Sequence, residues 1–107
     1  MRYWSVICPF LPANAMALYP FMLFKTVELK ESKFIINHEK IHFCQQLELL
    51  ILPFYLLYLL NYLVNLIRFK NHAQAYFNLC FEKEAYLNDY NADYIKQRRL
   101  YSWLKLL

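Results

Sequence analysis

The sequence predicts a mainly α-helical fold: a helical hairpin or a minimal domain of three to four helices, preceded by a short N-terminal β-hairpin or extended segment. Residues 49–67 carry no charge over nineteen positions, which is long enough for one continuous apolar helix. Ser32 precedes a second helical stretch and is a good N-cap for a helix that begins near Lys33. The 107 residues suffice for a single domain, 1–107.

The composition is unusually apolar. Hydrophobic residues make up 60% of the chain and charged residues 19%, whereas soluble domains average about 45–50% and about 25%. We therefore expect membrane lipid and a membrane protein as partners. The net charge of +4 favours anionic lipid, and we expect no nucleic-acid partner because the aromatic residues lie inside apolar runs. The absence of glycine excludes glycine-rich phosphate-binding loops.

The first 32 residues form the predicted extended or short-strand segment. Residues 15–25 are apolar and aromatic and are interrupted by Pro20, which is typical of two short edge strands or a bent extended chain. Such a segment beside a helix either binds an extended peptide or covers the helices as plain hydrophobic packing.

Two long helices are expected next, over 33–52 and 53–69. If the uncharged run crossed a bilayer once as one rod, the residues before and after it would lie on opposite sides. Pro53 disrupts a helix interior but suits the first turn of a new helix, so we expect the chain to bend back near residues 52–53. An apolar soluble bundle or the core of an oligomer is the alternative to a membrane hairpin.

Basic residues flank this hairpin on both sides, in 25–40 and at Arg68 and Lys70. The positive-inside rule then predicts that both flanks lie on the cytoplasmic side of the membrane.

Residues 78–107 are expected to contain a third helix and a basic C-terminal helix. Asn78 can cap a helix that begins near residue 79 and carries Glu82 and Glu84. The stretch 93–107 mixes basic with aromatic and aliphatic residues, which is typical of an interfacial helix or of an ordinary helix that packs on the others.

The stretch His38-Glu39-Lys40-Ile41-His42 indicates a metal site. On a helix, positions i and i+4 share one face, so His38 and His42 can direct their imidazoles at one metal ion. Glu39 lies beside them and can act as a base. A catalytic zinc site needs a third protein ligand, which must come from elsewhere in the chain. Without a metal, the same pattern would be a polar turn on a helix surface.

The H-E-x-x-H pattern resembles the signature of the zincins, a family of zinc metallopeptidases. This resemblance implies a zinc ion bound by His38 and His42, with Glu39 as the catalytic base that activates water for hydrolysis of a peptide bond. In gluzincins the third ligand is a glutamate on a later helix, often in a Glu-Ala setting, and Glu84-Ala85 is similar. The resemblance therefore implies Glu84 as the third metal ligand of a minimal zincin-like domain.

Two other third ligands stay open. Glu82 is the alternate to Glu84, because residues two apart on a helix face different directions and only one can point inward. Cys80, four residues before Glu84, would give a site with two histidines and a thiolate. Asn88 or Asp89 resembles the position where some gluzincins place an aspartate that orients a histidine.

The wider pattern of NHEKIH, LELL, PFY and FEKEAY is similar to short uncharacterised zincin-like proteins of bacteria, particularly of Bacteroidota. Together with the apolar run, this predicts a protein of the bacterial inner membrane, with the metal site on the cytoplasmic side and a peptide or protein as substrate. A non-enzymatic small subunit of a larger membrane complex, with a structural or vestigial metal site, is the alternative function.

Overall fold

The computed structural model describes residues 2–107. As the sequence predicts, the fold is mainly α-helical with a small sheet at its N-terminal end. The strands are β1 (Trp4–Ile7), β2 (Ala15–Leu18) and β3 (Phe21–Phe24). The helices are α1 (Val27–Lys30), α2 (Lys33–Leu49), α3 (Ile51–Phe69), α4 (His72–Phe77), α5 (Cys80–Asn88) and α6 (Tyr94–Gln97), followed by a 3-10 helix (Ser102–Leu106).

The sheet places strand β2 beside the long helix α2. Strands β2 and β3 form the expected antiparallel hairpin, and β1 adds to the far side of β3 in parallel, so the strand order is β1-β3-β2. Strand β2 is therefore an edge strand. Buried residues of the hairpin, Ala17, Met22 and Phe24, pack against Phe43 of α2 and form the first hydrophobic core cluster.

Helix α2 starts where the sequence predicts, because the Ser32 side chain accepts a hydrogen bond from the backbone N–H of Ile35. It ends three residues earlier than expected. Leu50, at φ 61° and ψ 153°, interrupts the helical path, and α3 begins at Ile51. Pro53 then lies in the first turn of α3, where a missing N–H removes no helical hydrogen bond. The predicted bend is present, but at Leu50.

Helix α3 is held against α4 and α5 by its polar side chains. The Asn61 Oδ1 atom accepts a hydrogen bond from the Cys80 N–H at 2.9 Å, and Asn65 Nδ2 donates to the Ala75 carbonyl at 3.2 Å. Both asparagines thus point into the protein. The chain that follows α3 therefore runs back alongside it rather than away from it.

Three features of the second half of the chain differ from the sequence-based expectation. Between the two expected helices lies α4, a helix that was not predicted, and Asn71 caps it by accepting from the Gln74 N–H. Asn78 ends α4 instead of starting α5, whose N-cap is Leu79. The expected continuous C-terminal helix is broken at Arg98, which has extended backbone angles (φ −64°, ψ 136°) and turns its side chain inward.

Helix α3 is long enough and apolar enough to cross a membrane, with 19 residues and a mean hydropathy of 1.4. Little of it is buried in the protein. One face, defined here as the leucine face, leaves its side chains 44–77% exposed: Leu52, Leu56, Leu59, Leu60, Leu63, Val64 and Ile67. The opposite face carries Phe54, Tyr58, Asn61 and Asn65 and packs on the rest of the fold.

Candidate metal centre

Helix α2 brings together the three motif residues that the sequence singled out. His38, Glu39 and His42 are all buried, and one ligand atom from each lies within 4.8 Å of the others. The two imidazole rings meet edge to face with their centroids 4.9 Å apart. This buried cluster could hold a metal ion. The one-face arrangement follows from the i, i+4 spacing on a helix.

A fourth residue, the acidic Glu82 of α5, reaches both histidines. Its Oε1 atom lies 3.1 Å from Nε2 of His38 and 3.2 Å from Nε2 of His42. Only 3% of Glu82 is exposed. The acidic residue that faces the imidazoles is therefore Glu82, the alternate of the sequence-based prediction, and not Glu84.

Glu84 points to the other side of α5, and this corrects the prediction that it is the third ligand. Its carboxylate accepts hydrogen bonds from Arg98, from Gln45 Nε2 at 2.9 Å and from the Tyr94 hydroxyl at 2.7 Å. Burial raises the pKa of Glu84, but these three donors outweigh it and lower the pKa below its usual range. Glu84 is thus an ionised carboxylate already satisfied by protein partners.

Cys80 is also directed away from the histidines. It lies in the second hydrophobic core cluster with Phe54, Phe81 and Trp103. Burial raises the pKa of its thiol to about 11, so the neutral form prevails at neutral pH. In this cluster Cys80 packs as a small hydrophobic side chain, and it is not grouped with His38, Glu39 and His42.

Each imidazole is fixed from behind by a hydrogen-bond acceptor. His38 Nδ1 lies 3.2 Å from Oδ2 of Asp89, and His42 Nδ1 lies 2.8 Å from Oε1 of Gln45. Since both partners are acceptors, each Nδ1 carries a hydrogen and donates it. The unprotonated Nε2 atoms then face the Glu82 oxygen. Three electron-rich atoms converge on one point, and this arrangement is stable only with a cation or additional protons between them.

Asn37, the residue before the motif, places Asp89 behind His38. Its side-chain amide donates to the carbonyl oxygens of Asn88, Asp89 and Asn91, at 3.3, 2.9 and 2.9 Å. These carbonyls lie at the C-terminal end of α5, where the last groups of a helix lack backbone partners. Asn37 thus connects the C-terminal end of α5 to the part of α2 where the motif begins.

Helix α3 completes the surroundings of the histidines. The Tyr58 hydroxyl donates to Oε2 of Glu82 at 2.7 Å, so both oxygens of that carboxylate are engaged. The Phe54 ring packs near His42 with its centroid 6.4 Å away, and Tyr86 of α5 packs on His38 at 4.5 Å. These contacts restrict the rotation of the imidazoles and shield them from water.

The charges of this site are strongly coupled. Burial lowers the pKa of His42, but the Glu82 carboxylate and its hydrogen bond outweigh burial and raise the pKa to about 9. Burial raises the pKa of Glu82, but the imidazoles of His42 and His38 reverse this and hold the pKa far below its usual range. The environment thus favours positive charge at the His42 imidazole, where a proton and a metal cation would compete for Nε2.

Glu39 is the one acid of the site that burial dominates. Burial raises the pKa of its carboxyl, and the opposing effect of His42 and His38 is smaller. Within residues 2–107, no side chain donates a hydrogen bond to it. A carboxylate with a raised pKa and no fixed partner is suited to accept and release a proton.

Glu39, His42 and Glu82 line a cleft of about 610 Å³. One wall is strand β2 with the loop before it, at Pro12 and Ala13. The other wall is mainly aromatic and carries Tyr55, Tyr58, His72, Tyr76 and Tyr86. His72, expected as a solvated surface residue, is exposed but also binds the Tyr62 hydroxyl, with 2.7 Å between Nδ1 and that oxygen. The acidic and imidazole groups are therefore accessible from one side.

Protein-family models, curated proteins and solved structures give no match to this chain. The zincin resemblance thus rests on the motif residues alone. The chemistry of the site follows from its own geometry.

Several residues that shape the site carry no local signal in the sequence. Gln45, Tyr58 and Arg98 contact the acids or imidazoles from three different elements. Gln45 connects His42 to α5. The separations of 36 and 39 residues between partners explain why a local pattern does not reveal them.

Proposed function

We propose that this chain is a membrane-associated zinc-binding protein that acts as a minimal metallopeptidase, with zinc bound by His38, His42 and Glu82. The observation that carries the proposal is the approach of one Glu82 oxygen to both Nε2 atoms, at 3.1 and 3.2 Å. Zinc bonds of about 2.0–2.1 Å in a tetrahedron separate ligand atoms by about 3.4 Å. Two neutral imidazoles and one carboxylate are the ligand set of several catalytic zinc sites.

The hydrogen bonds that the two imidazoles make on the side away from the metal also fit zinc. Both imidazoles donate Nδ1–H to an acceptor, Asp89 or Gln45, and this leaves Nε2 free. Three protein ligands would leave a zinc ion able to bind a water molecule, and two of these ligands, His42 and Glu82, line the cleft. When bound there, zinc would polarise a peptide carbonyl and lower the pKa of the attacking water.

The Glu39 carboxylate is the base in this proposal. It takes a proton from the water as the water oxygen bonds to the carbonyl carbon, and it then gives that proton to the leaving amine as the C–N bond breaks. Burial raises its pKa, which supports both transfers because the carboxylate accepts a proton more readily than an exposed one would and can then pass it on. The residue lies next to His38 in the chain and lines the cleft with His42.

Strand β2 supports an extended peptide as the substrate. Gln46 binds the outer edge of this strand like a neighbouring backbone: its Oε1 accepts from the Tyr19 N–H at 2.8 Å and its Nε2 donates to the Ala17 carbonyl at 2.9 Å. Backbone groups alternate in direction along a strand, so those of Ala15 also point outward. Ala15 lines the cleft, where its backbone can pair with a substrate strand.

Zinc analysis of the purified chain tests the proposal. Protein prepared without added metal is expected to contain about one zinc ion per chain, since structural and catalytic zinc sites with three or four ligands retain the ion through purification. Elemental analysis before and after treatment with a chelator gives the stoichiometry and shows whether the ion is removable. Protein that holds no stoichiometric metal, and takes up none on addition of zinc, would exclude the proposal.

The membrane part of the proposal places α3 in the plane of the membrane surface. An upright α3 would carry Tyr58, and with it the Glu82 carboxylate, about 10 Å beyond the start of the helix, at a rise of 1.5 Å per residue. The polar side chains of α4, which pack beside α3, would lie at bilayer depth as well. Ionised groups at that depth are costly. In-plane insertion buries only the leucine face and leaves the cleft in water.

The inner bacterial membrane fits this orientation. The exposed Arg68 and Lys70 at the end of α3 lie where anionic headgroups attract positive charge, and a cytoplasmic position agrees with the positive-inside rule. The metal centre then faces the cytoplasm. Exposed apolar residues on α3 also suit a membrane-protein partner, as in the alternative of a non-enzymatic subunit.

Substitutions on the leucine face test the membrane contact. Leu56→Asp and Leu60→Asp are each expected to weaken binding to vesicles of phosphatidylethanolamine and phosphatidylglycerol by about tenfold or more, because burying a leucine contributes about 1.5–3 kcal/mol. Co-sedimentation with the vesicles measures the effect. Leu100→Asp is the matched control, since Leu100 is 76% exposed but lies outside α3. Equal binding by all three variants would remove lipid from the proposal.

A further inference from the structure

A chain of buried polar side chains ends at His42, and its members beyond Gln45 have no role in the chemistry proposed above. Arg98 Nη2 donates to Glu84 Oε1 at 3.0 Å, and Gln45 Nε2 donates to the same oxygen at 2.9 Å. Gln45 Oε1 then accepts from His42 Nδ1 at 2.8 Å. Glu84 and Gln45 are almost fully buried, and the Arg98 side chain is 4% exposed. These four residues are named here the Arg98 relay.

The relay has a direction, because its members differ in what they can donate. Arg98 and the Tyr94 hydroxyl already donate to the Glu84 oxygens, so Glu84 is placed as an acceptor and the NH₂ group of Gln45 faces it. The Phe81 carbonyl, 3.0 Å from the same nitrogen, makes the same requirement. The oxygen of Gln45 is thereby left for His42. An acceptor at Nδ1 keeps the imidazole hydrogen on Nδ1 and leaves Nε2 unprotonated toward Glu82.

Arg98 is the charged partner of the buried Glu84 carboxylate. A buried carboxylate without a partner charge is strongly disfavoured. Arg98 contacts Glu84 through two nitrogen atoms and also binds Glu48 of α2 at 2.7 Å, so its guanidinium is held between the two helices. The C-terminal segment thus supplies the positive charge that fixes the polarity of the relay.

We infer that Arg98 and Glu84 are positioning residues, which fix the Gln45 amide and through it hold His42 in the tautomer that binds metal through Nε2. The inference rests on the proposed zinc site. His38 needs no such relay, because the Asp89 carboxylate contacts its Nδ1 directly. The two ligand histidines are therefore oriented by different means. The Asp89 carboxylate orients His38, and the Gln45 amide, whose own direction Glu84 determines, orients His42.

Zinc affinity in a set of variants tests the inference. Gln45→Leu and Glu84→Gln are each expected to weaken zinc binding by about 10- to 100-fold, the range typical for groups behind a metal ligand. Because Glu84 acts through Gln45, the double variant is expected to bind zinc no more weakly than Gln45→Leu alone. Competition with a chromophoric chelator measures the dissociation constants on folded protein.

Gln46→Leu is the matched control for this set. Gln46 is the neighbouring buried glutamine on the same helix, and it binds strand β2 instead of a metal ligand. This variant is expected to lower the melting temperature but to keep the zinc dissociation constant within about twofold of the wild type. A purely structural role of the relay would give Gln45→Leu the same behaviour, and that result would overturn the inference.

A measurement on the wild-type chain gives a second test that needs no variant to fold. In the zinc-loaded protein, ¹⁵N NMR of the imidazoles is expected to show the His42 hydrogen on Nδ1, with Nε2 bound to the metal. Two results would overturn the relay. One is a hydrogen on Nε2 of His42, and the other is a double variant whose loss of zinc-binding free energy equals the sum of the losses of Gln45→Leu and Glu84→Gln. Failure of the wild type to bind zinc would instead exclude the proposed function. A wild type that binds zinc while Glu84→Gln binds it equally well excludes the relay alone.

Discussion

Glu39→Gln is expected to abolish peptide hydrolysis and to leave about one zinc ion per chain. The substitution keeps the size of the side chain but removes the group that accepts the proton from water. General bases contribute about 10²- to 10⁴-fold to a rate, so the loss is expected to be about 10³-fold. Glu39 is not one of the three proposed ligands, so the zinc content stays unchanged. Hydrolysis of a quenched fluorescent peptide library, alongside elemental analysis, measures both quantities.

Glu28→Gln provides the matched control for that substitution. Glu28 is an exposed glutamate of α1, and its replacement removes the same charge from the chain without contact to the cleft. Full activity is expected for this variant. Hydrolysis that survives Glu39→Gln would show that Glu39 is not the base. A wild type that binds zinc but cleaves no peptide would favour the alternative of a non-enzymatic subunit of a membrane complex.

The second large effect is expected at Glu82. Glu82→Ala and His38→Ala each remove one of the three proposed ligands. Each is expected to weaken zinc binding more than 100-fold, since about 100-fold is the upper range for a residue that only hydrogen-bonds to a ligand. Glu84→Gln leaves all three ligands in place and is expected to cause a smaller loss. Chelator competition on the three variants ranks the dissociation constants. A larger loss for Glu84→Gln than for Glu82→Ala would restore Glu84 as the third ligand.

The parts of the fold that are set by local sequence could be predicted. Ser32 caps α2 as expected, and the i, i+4 spacing places His38 and His42 on one face. The bend between α2 and α3 was predicted from Pro53 together with the need to keep both flanks on one side. The position of the bend at Leu50 could not be predicted, because a non-glycine residue with a positive φ has no local signal in the sequence.

The choice between Glu82 and Glu84 shows where a resemblance misled. The Glu-Ala pair favoured Glu84, yet a helix period gives another criterion: Asp89 lies seven residues, or about two turns, after Glu82 and so shares its face. The structure places both acids against His38, at 3.1 and 3.2 Å. The pair of acids seven apart is a signal in the sequence that could have identified the inward face of α5.

Long-range contacts account for the features that the sequence did not predict. Arg98 lies within a basic stretch that is typical of an interfacial helix, and only the two buried acids from α2 and α5 explain why the chain breaks there. The contact with Glu48 spans 50 residues. The periodicity of the C-terminal stretch does not reveal such a partner. The sequence therefore left two alternatives for this segment, an interfacial helix and a helix that packs on the rest of the fold.

The zinc-loaded protein, crystallised and measured at the zinc absorption edge, gives the most direct test of the metal centre. One anomalous peak is predicted between α2 and α5, about 2.0–2.2 Å from Nε2 of His38, Nε2 of His42 and a carboxylate oxygen of Glu82. A peak bound to Glu84 or Cys80, or paired imidazoles with no metal between them in the presence of excess zinc, would contradict the proposed site.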